Sequence, residues 1–228
     1  MELSKVMRTS GAVREFTADD QVQPSVLYRV LDNARFAPSG GNQQGWHVTV
    51  VRDPTLRRRL ADLSVAAFRR YVAEQSAGYR AFGVVDSAPT DVEIPDGIPI
   101  DQMLAAIENA PEVLVVTVDL RTLAVLDRDL DRPSIVGGAS IYPFVQNILL
   151  AARDEGLGGA VSTFVVAGEP EAALLLNLPR GHAIAAMIQL GRPLHQVTRL
   201  TRHPVESFAT VDRFDGDVLS SGGRARTS

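Results

Sequence analysis

Cysteine is absent from the 228 residues, which removes disulfides, thiolate metal sites and thiol nucleophiles together. Any redox chemistry must then come from a bound cofactor. Histidine is scarce, and His47, His182, His195 and His203 form no HExxH or other ligand spacing, so no metal site is expected. No run of about 18 or more apolar residues occurs. The start, MELSKVMRTS, has no apolar stretch leading to a small-residue cleavage site. We therefore expect no membrane span and a cytoplasmic protein. Neither sign of charge dominates: 23 Lys and Arg against 27 Asp and Glu leave a net −4, with a pI near 5.6. That balance offers no global field for nucleic acid or an anionic membrane and favours a small-molecule partner.

What is present is enough for one substantial core, since 45% of the residues are apolar. We expect a single domain over residues 1–219 and a disordered tail over 220–228, where SSGGRARTS has nothing with which to fold. Val26, Leu27, Val30, Leu31 and Ala34, spaced as on a helix after Pro24, predict a helix over 24–36. It ends before the loop Ala37-Pro38-Ser39-Gly40-Gly41-Asn42. Residues 47–52 read as a strand, and Asp53-Pro54 opens a helix through Ala73 whose Arg57, Arg58 and Arg59 form a solvated face. The stretch 76–99 has no periodicity and reads as a long surface excursion, a length that is usually functional or mobile. Residues 100–109 look helical, and 112–119 (EVLVVTVD) are a β-branched run suited to a buried central strand. Ile141, Phe144, Val145, Ile148, Leu149 and Ala152 mark a core helix over 140–155, terminated by Gly156-Leu157-Gly158-Gly159. A short helix over 169–176, a strand over 183–190 and one extended stretch over 208–211 complete the pass. Without strict βαβ alternation, a doubly wound Rossmann sheet is not implied.

The glycines at 156–159 are not a dinucleotide fingerprint, because Val161 stands at the sixth position and the cluster follows a helix instead of a strand. A helix cap continuing into a turn is the plainer reading. Ser39 lacks the glycine two residues earlier that a nucleophile elbow needs, so it reads as a loop serine capping backbone groups. The segment APSGGNQQGW, residues 37–46, is more informative. It gathers neutral hydrogen-bonding groups on a glycine-adaptable loop ending in the only tryptophan, which suits a flat polar heterocycle as well as an ordinary turn.

Four segments in order carry a resemblance: Ala12-Val13-Arg14-Glu15-Phe16, the loop Ala37 to Trp46, Gly156-Leu157-Gly158-Gly159, and Leu190-Gly191-Arg192-Pro193. Together, across residues 5–215, they resemble the FMN-dependent nitroreductase family, with the APSxxNxQxW loop the most specific part. The resemblance implies an α+β fold, a nitroreductase-like sandwich whose mixed central sheet is surrounded by helices. It also implies a homodimer exchanging C-terminal extensions so that each FMN touches both subunits. Arg14 would join the positive cluster at the FMN phosphate or pyrimidine edge. Pro38, Ser39, Gly40, Asn42 and Gln44 would line the flavin, partly from the second chain. Ala160, Val161, Ser162 and Thr163 match the segment beside flavin N5 and O4. Arg202, with Arg199 as second candidate, stands where late basic residues complete the phosphate site.

Two departures matter. Ser10, Gly11 and Ala12 stand where the family often has a basic residue, with Arg8 further back, and Gly45 replaces the usual proline before the tryptophan, which predicts a looser loop. The implied activity is ping-pong hydride transfer from NADPH or NADH through FMN to a nitroaromatic or quinone-like acceptor, with no dedicated acid or base on the protein. The alternatives are a flavin storage or sequestration protein, or a flavin reductase acting on an enone, a halogenated phenol or a deazaflavin intermediate. Arg57, Arg58, Arg69, Arg70 and Arg80 are equal candidates for the extra phosphate of NADPH, and Tyr79 and Phe82 either cover the flavin or pack on the partner chain.

Overall fold

The computed structural model describes residues 1–17 and 21–221 and divides them into two compact units, the first ending at Val197 and the second beginning at Thr198. The first unit is built on a four-stranded sheet of order β1-β2-β4-β3, comprising β1 (Trp46–Val51), β2 (Glu112–Asp119), β3 (Gly158–Ser162) and β4 (His182–Gly191). All three pairings are antiparallel. The parallel component of the expected mixed sheet is confined, among the described residues, to an isolated bridge between Ala12 and Gly159.

Among the described residues six α-helices flank the sheet: α1 (Leu3–Thr9), α2 (Pro24–Ala34), α3 (Pro54–Ser76), α4 (Ile100–Glu108), α5 (Tyr142–Asp154) and α6 (Glu169–Leu175). Alternate residues of β2 explain the layering. Leu114, Val116 and Val118 join a core with Leu27, Val30 and Ala34 of α2 and Phe144, Val145 and Ile148 of α5. Val113 and Val115 face the opposite core, with Leu60 and Ala61 of α3, Leu104 and Ile107 of α4 and Ala172 of α6. A strand buried on both faces needs apolar residues at successive positions, hence the run EVLVVTVD. Each large side chain buried this way contributes about 1.5–3 kcal/mol.

Local chemistry sets the element ends. The Asp53 carboxylate accepts from the Leu56 N–H at 2.7 Å and Pro54 occupies the first turn of α3, so the helix starts where the strand stops. At the end of α5, Gly156 adopts φ +79°, and Leu157 N–H reaches the Ala152 carbonyl at 2.8 Å. The glycine cluster is thus a cap only in its first member. Gly158 and Gly159 belong to β3, a strand the cap reading left out because two glycines carry no β-propensity.

The arginine face of α3 differs from expectation at one position. Arg57 is not part of a solvated face: its guanidinium donates to the carbonyls of Val51 (2.7 Å), Ala110 (2.6 Å) and Pro111 (3.2 Å), tying β1 to the connection ahead of β2. Burial lowers its pKa, with the nearby Glu112 charge opposing that shift. Arg58 and Arg59 are exposed, as expected, and pair with Asp62, Glu108 and Glu171. The helix α1 was not predicted at all.

In the second unit a short 3-10 turn (Val205–Ser207) precedes a small hairpin in which Thr210 pairs with Val218 and Val211 N–H reaches the Asp217 carbonyl at 2.8 Å. Of the extended stretch expected over 208–211, residues 209–211 form one side of it, while Phe208 closes the 3-10 turn. Of the expected tail, residues 222–228 lie outside the described residues. No helix among the described residues is long and apolar enough to cross a membrane.

Candidate functional site

The loop between α2 and β1 is held by serines. Ser39 Oγ accepts the Gln44 N–H at 2.9 Å, closing the loop on itself, and Ser140 Oγ accepts the Gly40 N–H at 3.0 Å from a position 100 residues away. Ser39 is therefore the capping residue that its context suggested. Within the loop Gly41, Asn42 and Gln44 all adopt left-handed conformations, with φ of 57°, 52° and 49°. Two non-glycine residues in that region within three positions store strain of the kind that clusters at binding sites. Pro38, Gly40, Asn42 and Gln44 are exposed, so the strained loop presents neutral polar groups to solvent.

Gly45 does not loosen this loop. A Cβ there would lie 1.9 Å from Thr122 Oγ1, and the Gly45 carbonyl accepts the Asp119 N–H at 2.8 Å. Close approach, not flexibility, is what the missing side chain provides. Trp46 then stacks on Phe144 of α5, with ring centroids 4.6 Å apart and planes within 4°. Just beyond, Arg121 holds the Asp119 carboxyl down to about 2. Asp127, buried and accepting from Ile135 N–H, Ser134, Arg132 and Val136 N–H, is held well below the usual carboxylate range and fastens the connection between β2 and α5.

The second predicted segment lies on β3, at the edge of the sheet. Val13 N–H donates to the Gly159 carbonyl at 2.9 Å, so the polar groups of Gly159 point off the sheet toward the N-terminal arm. Backbone polarity alternates along an antiparallel strand, so those of Val161 point the same way, past the end of the bridge. They border a cleft of about 160 Å³ between the arm, α5 and β3, lined by Ser10, Gly11, Ala12, Gln146, Leu149, Gly159, Ala160 and Val161, with no charged side chain. Ala160 is buried and Val161 is 41% exposed. Ser162 Oγ accepts the Phe164 N–H at 3.3 Å, and Thr163 is exposed. A larger open hollow of about 390 Å³ is lined by Val211, Asp212, Arg213, Asp215, Gly216, Asp217 and Val218 of the second unit and contains none of the predicted residues.

Arg14 is exposed and has no hydrogen-bond or ionic partner among the described residues, leaving its guanidinium available to an anion. Arg199 and Arg202 lie in the second unit and are exposed, with Arg202 donating only to the neighbouring Thr201 carbonyl at 2.7 Å. Among the described residues no group of His, Asp or Glu is arranged to hold a metal ion. The donor set of the first unit suits FMN: an outward backbone edge beside a neutral cleft for a polar ring, and the exposed Arg14 guanidinium for a phosphate. Sequence reasoning missed Ser140, Thr122 and Gln146. In the sequence Gly45 reads as loosening the loop, because the Thr122 side chain that requires a glycine there lies far along the chain, and a serine or glutamine distant in sequence gives no local sign.

A nitroreductase-type relative from Archaeoglobus fulgidus, described as an NADH dehydrogenase/NAD(P)H nitroreductase, is 29% identical over 220 residues, covering 96% of each chain. Among solved structures, the NADPH:FMN oxidoreductase of Vibrio harveyi complexed with NAD+ matches with a TM-score of 0.66 at 19% identity, over 93% of this chain and 77% of that one. Iodotyrosine deiodinase bound to FMN and 3-iodo-L-tyrosine matches at 0.64 and 21% identity, over 89% and 96%. These likenesses establish the fold. The sequence profile of the Nitroreductase family spans residues 8–192, from the arm that bridges to β3 through the glycine closing β4. On that span, the chain belongs to the Nitroreductase family.

Proposed function

We propose that this chain, an NAD(P)H-dependent oxidoreductase of the nitroreductase type with FMN as cofactor, reduces small nitroaromatic or quinone-like acceptors in two alternating half-reactions. The observation that carries the site assignment is the free edge of β3, where Val161 faces outward beside a cleft without charged side chains. When bound, FMN supplies a ring that takes a hydride from the nicotinamide and returns two electrons to the acceptor. The chain's part is to bind and orient. Val161 N–H offers a fixed hydrogen bond to a ring atom that gains electron density, without reorganisation at the moment of reaction. Ala160, by its size, leaves room for the ring, and Ser162 and Thr163 continue its border. Pro38, Ser39, Gly40, Asn42 and Gln44 line the flavin of a homodimer partly from the second subunit, and Arg14 with Arg202 or Arg199 hold the phosphate. No side chain is needed as acid or base, because solvent supplies protons to the reduced acceptor.

The likeness to iodotyrosine deiodinase favours one second reading, a halogenated phenol as acceptor. Anaerobic mixing with NADPH and, separately, NADH tests the function. Rapid bleaching of the visible flavin band is expected, and reoxidation by a nitroaromatic, a quinone or a halophenol then ranks the acceptors. Purified protein should be yellow and release FMN, not FAD. Colourless protein that cannot be reconstituted with FMN would sink the assignment, and flavin that neither donor bleaches would leave a storage protein.

A further inference from the structure

The buried stripe of α3 runs Leu60, Ser64, Ala67 and then, at the same helical spacing, Glu74, which is 1% exposed. A carboxylate in the position where the period asks for an apolar group must find partners. Its partners come from two places. Arg70, one turn earlier, donates from Nε at 2.6 Å, and Phe82 N–H, in the 77–99 segment, donates at 2.5 Å. Both donors hold the Glu74 carboxyl below its usual range. Around this bond the segment is folded tightly. Tyr79 N–H reaches the Glu74 carbonyl at 2.9 Å, Gly83 N–H reaches the Arg80 carbonyl at 2.9 Å, and Phe82 takes a left-handed φ of 53°. Beyond it Val84 and Val85 stand in solvent, and the next buried residue is Ala88.

The same end of α3 packs against the residue that follows the proposed flavin segment. Phe68 and Tyr71 pack edge-on against Phe164, with centroids 5.8 and 5.4 Å away, and Phe164 directly follows Thr163 at the end of the proposed flavin segment. Tyr71 lies one helical turn before Glu74. We propose that Glu74 is a positioning residue, a polar clasp that holds 77–99 as a strap which opens and closes at the acceptor side of the site. The nature of the anchor suits reversible opening. An apolar anchor would expose its surface to water when the strap lifts, whereas a carboxylate is rehydrated and keeps Arg70 beside it. The clasp stands on geometry alone, while its placement at the acceptor side rests on the FMN reductase reading above.

The test compares the parent with Glu74→Gln, which keeps the side-chain volume and one acceptor but loses the charge, and with Glu74→Ala. Amide hydrogen exchange at Phe82 and tryptic cleavage after the exposed Arg80, followed by mass spectrometry, report strap opening. Cleavage that follows the open population should be about tenfold faster in Glu74→Gln and faster still in Glu74→Ala. FMN content should match the parent, and the KM for a bulky quinone should rise severalfold with little change in kcat. Exchange and cleavage equal to the parent in both variants would overturn the clasp. Faster cleavage with an unchanged acceptor KM would overturn the placement at the acceptor side. A parent protein that takes up no FMN would overturn the functional reading and the placement together, with the clasp still judged by exchange and cleavage.

Discussion

Arg57, Arg58 and Arg59 are consecutive and chemically identical, yet they do different things because a helix turns by about 100° per residue. Arg57 points under the helix at the carbonyls of Val51, Ala110 and Pro111, whereas Arg58 makes exposed ion pairs. Arg57→Ala should cost about 2–3 kcal/mol, because buried acceptors lose a charged donor. Arg58→Ala should shift a denaturant midpoint far less, as exposed pairs do. Equal midpoints for the two variants would contradict the capping role. The phosphate site is tested at the same scale. Losing a charge-assisted phosphate contact costs about 1.5–3 kcal/mol, roughly a 10- to 150-fold weaker FMN affinity. Arg202→Ala should show that loss with FMN and much less with riboflavin, with Arg58→Ala as the unaffected control. If Arg199→Ala, Arg14→Ala and Arg8→Ala are equally silent, the phosphate site lies elsewhere.

Among the elements, β3 is the one whose making depends on having almost no side chains. A Cβ on Gly159 would come within 2.5 Å of Leu190 Cδ2 and 2.7 Å of the Gln189 carbonyl, and on Gly158 within 2.8 Å of Val13. The strand is therefore pressed between β4 and the N-terminal arm more closely than any alanine allows. Gly159→Ala should destabilise the fold by about 1–3 kcal/mol, the usual cost of overpacking. If the Val161 edge is the flavin contact, it should also lower FMN occupancy under conditions where the fold is intact. A variant with parental stability and parental flavin content would show that β3 and β4 yield easily at this position, against the close approach of Leu190 and Gln189. The single tryptophan reports on the neighbouring element: its stacking on Phe144 predicts that FMN uptake quenches Trp46 fluorescence if the loop lines the flavin.

For the whole molecule, acid stability follows from the lowered carboxyls. Asp119 has its ordinary value of 3.8 when unfolded and about 2 when folded. A depressed folded value means stability that is complete above the unfolded pKa and is lost as pH falls through the folded one. Asp119 should thus contribute fully above pH 3.8 and progressively less down to about 2, and Asp127 and Glu74 are shifted in the same direction. A denaturation midpoint followed from neutral pH downward should fall in that window, and Asp119→Asn should flatten the fall. Assembly is tested by truncation. If the chain from Arg192 onward crosses to a partner, deleting residues 197–228 should cost both dimerisation and FMN, while removing only 220–228 should cost neither. A shortened chain that stays dimeric and yellow would exclude the exchange.

Where a residue's role depends on its neighbours along the chain, the sequence was sufficient. The apolar spacing of α2 and α5, the cap at Asp53-Pro54, the doubly buried run of β2 and the serine-closed loop at 39–44 are all local patterns with local causes. The ordered motifs also carried the family, because each keeps a backbone shape that few residue types permit. Tertiary structure decided what depends on distant partners. Gly158 and Gly159 became a strand because Val13 and Leu190 close on them, and Gly45 became a contact because Thr122 fills the space its side chain would occupy. Arg57 became a half-buried cap through carbonyls more than 50 residues away, and Glu74 became a buried charge because a loop folds back to donate to it. None of these partners can be read from a segment, since a side chain's environment is set by whatever the fold brings within hydrogen-bonding or van der Waals reach.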